Sequence, residues 1–140
     1  MEKNPTYLFV VAAALIDQGG RILVQKRPKG KPMADLWEFP GGKVEVDETP
    51  EAALVRELNE ELQIGVKEQD VEPLAFASEP IEGQHLVLLL YMCRKWTGHP
   101  ESADSLDLRW LPLAAIQDLP MPPADGPLVQ RLSDRLRNSA

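Results

Sequence analysis

Gly42 to Ile64 read GKVEVDETPEAALVRELNEELQI, and within them the pattern predicts a helix. Thr49 is a good N-cap, Pro50 suits the first helical position and Glu51 falls in the positive first turn. Leu54, Leu58 and Leu62 recur every four residues with Val55 beside them, an apolar stripe meant for a core. On a neighbouring arc stand Glu57, Glu60 and Glu61, whose i, i+3, i+4 spacing makes them neighbours on the helix surface. No lysine or arginine follows one turn on to neutralise them, and like charges so placed repel by roughly 0.2–0.5 kcal/mol per pair. A bound divalent cation removes that difficulty, because hard cations take oxygen ligands. Ahead of the helix, Phe39-Pro40-Gly41-Gly42 brings backbone close without side chains, and Glu48 stands just before the cap.

Gly42, five residues, Glu48, seven residues, then Arg56-Glu57-Leu58-Asn59-Glu60-Glu61 resembles the Nudix box, G-x5-E-x7-R-E-U-x-E-E-x-G-U, where U is bulky and apolar. Every fixed position is matched except one. The expected glycine is Gln63, with Ile64 in the final apolar place and Gly65 one position late. That departure puts the geometry of the helix exit in question and leaves the chemistry untouched.

Outward from the box, 140 residues predict a single domain with a real core. Hydrophobic residues at 44% and charged residues at 26% read as soluble and globular. A formal net charge of -7 argues against polymeric nucleic acid, whose binders carry a basic footprint, and leaves a small anionic substrate open if metal supplies positive charge locally. The lone Cys93, inside an apolar run, excludes an internal disulfide and reads as a packed thiol in a reducing cytoplasm. Leu8–Ile16 is too short to span a membrane and reads as a buried strand. Asp17–Gly20 then turns into Arg21–Arg27, predicted as an antiparallel partner of that strand. Pro28–Asp35 is a basic loop in which Lys29 and Lys31 read as solvated charges.

After the box, Val71–Ser78 and His85–Cys93 read as strands joined by Glu79–Gln84, the second continuously apolar and hence central. His85 reads as a structural or surface histidine. Leu106, Leu108 and Trp110 alternate as a further strand, and Pro112–Leu119 predicts a short helix. A last helix carries Leu128, Leu132 and Leu136, with Gly126 as cap and Pro127 at the first helical position. This order implies an α/β fold with a mixed sheet between helices. Periodicity leaves the topology open; the resemblance implies a Nudix-type α/β/α sandwich over almost the whole chain.

What the resemblance implies chemically is hydrolysis of a nucleoside diphosphate linkage, with Mg²⁺ (or Mn²⁺ as a substitute) as cofactor. Glu57, Glu60 and Glu61 would hold the metal with the Gly42 carbonyl as a further ligand. Arg56 would orient a box glutamate, and Glu48 would brace the loop. The water-activating carboxylate is Glu57, or else Glu101 or Asp104 outside the box. Arg27 is a candidate for substrate phosphate. Phe39 is a candidate base-stacking ring with Glu38 nearby, though both also read as core and loop residues.

The stretch 28–42 and the segment Leu119–Leu128 resemble the MutT-like branch of the family. There the residue aligned with Asp125 faces the base edge, and a carboxylate can accept from N1–H and N2–H of a guanine-type base. Three readings stay open. One is a pyrophosphohydrolase that takes nucleoside triphosphates, oxidised dGTP (8-oxo-dGTP) included, to monophosphate and pyrophosphate in nucleotide-pool sanitisation. Another is hydrolysis of a different diphosphate derivative such as ADP-ribose, with which Pro80 is associated by position. The last is a non-catalytic nucleotide-sensing module. The expected partner is a small-molecule nucleotide with no membrane, and the chain is expected to be a monomer or homodimer.

Overall fold

The computed structural model describes residues 6–138. Two continuous apolar runs form its centre. Strand β1 (Tyr7–Leu15) lies parallel to the later strand Gln84–Cys93, in register from Tyr7 opposite His85 to Leu15 opposite Cys93. Alternate residues of β1 enter two cores. Val11, Ala13 and Leu15 join one cluster, Ala12 and Ala14 the other. A strand buried on both faces must be apolar at every position, which is why the run shows no alternation.

In chain order, β2 is Ile22–Lys26, β3 Trp37–Glu38 and β4 Gly41–Lys43. Helix α1 (Pro50–Leu62) follows, then β5 (Val71–Ile81), β6 (Gln84–Cys93), β7 (Leu108–Leu111), and helices α2 (Leu113–Ile116) and α3 (Asp125–Arg137). One sheet is mixed, in the order β4-β1-β6-β5, and a smaller antiparallel sheet runs β3-β2-β7. Leu54, Leu58 and Leu62 of α1 pack on one side of the mixed sheet. Leu128 and Leu132 of α3 pack on the other. The expected α/β/α arrangement with a mixed sheet is present, and β6 is an inner strand as its composition requires.

Three sequence expectations need correction. Asp17–Gly20 does turn, with the Asp17 carboxylate accepting from the Gly19 and Arg21 N–H groups at 2.9 and 2.8 Å. Yet β1 and β2 share only the bridge between Ile16 and Ile22 before they diverge into different sheets. Both edges of β1 are already taken, by β4 and β6, so β2 pairs with β3 and β7 instead. Strand β5 also continues past Ser78 to Ile81, so the connection shrinks to Glu82-Gly83, where Gly83 supplies a φ of 74°. Pro80 therefore sits within β5, tolerated because β5 is an edge strand. Finally, α3 opens earlier than Gly126. Ala124 occupies the cap with no side-chain bond, and Asp125 is the first helical residue.

Helix α1 starts as its sequence requires, with the Thr49 hydroxyl accepting from the Ala52 N–H at 3.1 Å. It ends on Gln63 in the left-handed region, φ 59° and ψ 33°, its N–H bonded to the Asn59 carbonyl at 3.0 Å. This is the position where the family pattern has glycine, and the fold keeps the glycine geometry with a side chain in place. Among the described residues no helix is long and apolar enough to cross a membrane.

Left-handed backbone costs a non-glycine residue about 1–2 kcal/mol, and glycine loses roughly 0.5–1 kcal/mol of that advantage through unfolded-state entropy. Gln63→Gly is therefore expected to stabilise the protein by about 0.5–1 kcal/mol, read from urea denaturation midpoints at constant m-value. A destabilised variant would show that the Gln63 side chain contributes more than its backbone costs.

Candidate active site

The junction of β4 with α1 is closed by two glycines. A Cβ on Gly41 would lie 1.9 Å from the Val11 carbonyl oxygen, and one on Gly42 would lie 2.3 Å from the Glu57 carboxyl carbon. Neither gap admits a methyl group. The Glu57 carboxylate thus rests directly on the backbone of β4.

Arg56 ties the surrounding acids together. Its Nε and Nη2 donate to the Glu48 carboxylate at 2.7 and 3.0 Å, and Nη2 also reaches the Lys43 carbonyl at 3.0 Å. Nη1 donates to Glu57 at 2.9 Å and Glu60 at 3.3 Å. Glu48 in turn accepts from the Glu45 N–H at 3.0 Å. The Arg56 guanidinium, followed by that N–H, holds the Glu48 carboxyl down to about 2. No lysine or arginine follows the glutamates, but Arg56 precedes Glu57 by one residue and Glu60 by one turn, and it reaches both.

Glu61 points inward. Its Oε2 is buried with no hydrogen-bond partner among the described residues. Burial, then the charges of Glu57 and Glu38, push its carboxyl up to about 7 against the opposing pull of the Gln25 side chain and the Gly41 N–H. An orphaned buried carboxylate oxygen beside a second carboxylate is what a divalent cation would satisfy, so the donor set fits one. Among the described residues no three acidic, imidazole or thiol groups converge as a finished cage.

Next to Glu61 opens a cavity of about 840 Å³. Val10, Ala12 and Leu88 give it an apolar wall, while Gln25, Arg27, Glu38, Glu61, Asp104 and Asp125 supply its polar groups. Arg27 donates through Nη1 to Glu38 at 2.7 Å and through Nε to the Pro32 carbonyl at 3.0 Å, which fastens the 28–35 loop to β3. Asp125, only 5% exposed, also lines it. Burial and the Glu38 charge raise its carboxyl to about 7, while Arg27 and the Phe39 N–H act in the opposite sense. Phe39 belongs to the core and to the cavity wall at once.

The two acids proposed outside the box part company. The Glu101 N–H donates to the Leu62 carbonyl at 3.0 Å and the Ala103 N–H to the Glu61 carbonyl at 2.8 Å, so this loop satisfies the open end of α1. The same path sets Asp104 in the cavity wall, which Glu101 does not join. His85 is away from the cavity, with Nε2 on the Ser78 hydroxyl and its ring edge-on to Tyr7. Sequence reasoning missed Gln25, Lys43 and Glu79, which line the cavity; Lys31, read as a solvated charge, is exposed and stands at its rim. Gln25 had left a signal, an uncharged polar residue two positions after Leu23, directly behind the apolar run Ile22-Leu23-Val24.

The family model of the NUDIX domain matches residues 6–132. The chain is 30% identical over 125 residues to the 8-oxo-dGTP diphosphatase of Escherichia coli strain K12, a match covering 89% of this chain and 95% of that protein. It is 37% identical over 120 residues to the CTP pyrophosphohydrolase of the same strain, covering 86% and 87%. The solution structure of the E. coli ORF135 protein superposes with a TM-score of 0.83 at 35% identity, covering 96% of this chain and 94% of that one. The chain belongs to the NUDIX family. Its enzymatic class is that of the Nudix pyrophosphohydrolases, whose members generally use divalent metal ions.

Two outcomes follow from this geometry. Gly42→Ala is expected to evict the Glu57 carboxylate and lower turnover about 100-fold or more, with circular dichroism unchanged. Near-native turnover would show that Glu57 has other room. For Asp125, the folded-state pKa of about 7 lies above the ordinary value of 3.8. The native state then holds the proton more tightly, so ionisation erodes stability as pH rises from about 4 through 7. Asp125→Asn should flatten that decline in urea titrations run in chelator, whereas parallel pH profiles for the two proteins would contradict it.

Proposed function

We propose that this chain hydrolyses (deoxy)nucleoside triphosphates to the monophosphate and pyrophosphate with Mg²⁺ as cofactor, oxidised dGTP among its substrates. The observation that carries the reading is the Glu61 oxygen beside Glu57 that is buried without a partner among the described residues, in a cavity that Asp125 also lines. The names of the relatives, an 8-oxo-dGTP diphosphatase and a CTP pyrophosphohydrolase, support it.

In this reading Glu57, Glu60, Glu61 and the Gly42 carbonyl hold the metal, and Mn²⁺ can substitute. The bound cation would neutralise charge on the phosphate oxygens and make a coordinated water more acidic. Arg56 and Glu48 keep Glu57 seated on β4. The attacking water loses its proton to Glu57, or to Asp104, which stands in the cavity wall where Glu101 does not. Arg27 and Lys31 face the phosphates, with Arg27 also locking Glu38 in place. Phe39 offers its ring to the base.

Asp125 selects the base edge. As a carboxylate it presents two acceptors, matched to N1–H and N2–H of a guanine-type base. As a neutral acid it presents one donor and one acceptor, matched to N3 and the N4 amino group of cytosine. A carboxyl that titrates near neutrality serves both, in keeping with the two kinds of relative.

The substrate is a free nucleotide; the net charge of -7 offers no footprint for a nucleic-acid polymer. We place the enzyme in the cytoplasm, as one Nudix domain acting as monomer or homodimer in nucleotide-pool sanitisation. A panel of nucleotides with Mg²⁺ tests the reading. Monophosphate plus pyrophosphate from triphosphates supports it, cleavage of ADP-ribose alone would replace it, and tight binding without release would make the chain a sensor. Glu57→Gln and Glu60→Gln should each lower turnover at least about 100-fold in the same assay with thermal midpoints kept. Asp125→Ala should redistribute rates across bases more than it alters metal dependence.

A further inference from the structure

Gln25 is the buried polar residue of the cavity that the reading above leaves without a task. It is 4% exposed, in the middle of the small sheet, with Glu38 of β3 on one side and Leu108 of β7 on the other. Strand alternation fixes where it points. Leu23 packs with Leu54, Leu58 and Leu62 of α1, and Gln25, two residues on, faces the same way. On α1, Glu61 follows Leu58 by three residues and so lies on the same side, one turn along. Both side chains line the cavity, and the Gln25 side chain comes near enough to the Glu61 carboxylate to work against the rise of its pKa. One oxygen of that carboxylate, Oε2, is buried and without a hydrogen-bond partner among the described residues.

An ionised carboxylate is acceptor-only, so the Gln25 group that meets it is the amide NH₂, which donates. Such a donor would tether one oxygen, restrict the rotation of the carboxylate and leave the remaining oxygen open. We propose that Gln25 is a positioning residue for the metal centre, holding Glu61 so that Oε2 faces the cation. This rests on the assignment of Glu61 as a metal ligand. Groups that orient ligands in this way commonly change metal affinity or activity 10–100-fold when removed.

The test measures metal binding directly, by Mn²⁺ titration followed by electron paramagnetic resonance on the full chain. Gln25→Met keeps length and volume without the donor; Gln25→Asn keeps the amide but falls a methylene short. Both are expected to bind Mn²⁺ about tenfold more weakly, with thermal midpoints in chelator equal to the parent protein. A purely structural role would move the midpoints and leave the affinity alone. Glu61→Gln is the control. If it loses Mn²⁺ binding while both Gln25 variants bind as the parent does, the role of Gln25 is overturned and the metal assignment stands. If Glu61→Gln itself binds Mn²⁺ normally, both fall.

Discussion

The Arg56 guanidinium is the hub on which this site depends. It is the cation around which Glu48, Glu57, Glu60 and the Lys43 carbonyl are arranged. These groups come from the loop before α1, from α1 itself and from the end of β4, so one planar group fixes three pieces of backbone relative to each other. Its fork of donors suits that task in a way an ammonium does not. An exposed ion pair contributes little to stability, commonly under about 1 kcal/mol. The value of this network lies in geometry: it decides where the glutamates can point.

The scaffold behind it is rigid for a simple reason. β1 serves two cores, one against α1 and one against α3, so it cannot shift without disturbing both. β4 rides on its edge and brings Gly41 and Gly42 against β1 and Glu57 without intervening side chains. The cavity opens where the mixed sheet and the small sheet part company. Its lining sets the acidic groups Glu38, Glu61, Asp104 and Asp125 among the apolar side chains Val10, Ala12 and Leu88.

Asp125 and Glu61 both bear carboxyls that burial holds near neutrality, and Glu38 bears electrostatically on each. Arg27 offsets that charge from the Asp125 side. The cost of burying such groups is tolerated where ligands are to be met, because a cation or a base edge then supplies what solvent no longer does. Stability is conceded locally for readiness to bind.

Local pattern in the chain was enough to specify α1 with its cap, its leucine stripe and its acidic arc, the central place of β6, and membership of a fold whose box is confined to one turn and one helix. These are short-range properties, set by spacing along a few turns of backbone, so they can be read residue by residue. The parting of β1 from β2, the onset of α3 at Asp125, the entry of Gln25 into the cavity and the separation of Asp104 from Glu101 were decided only in three dimensions. Each depends on which strand edges are already occupied and which buried groups come to lie side by side. Those outcomes involve residues far apart in sequence, and no local pattern encodes them.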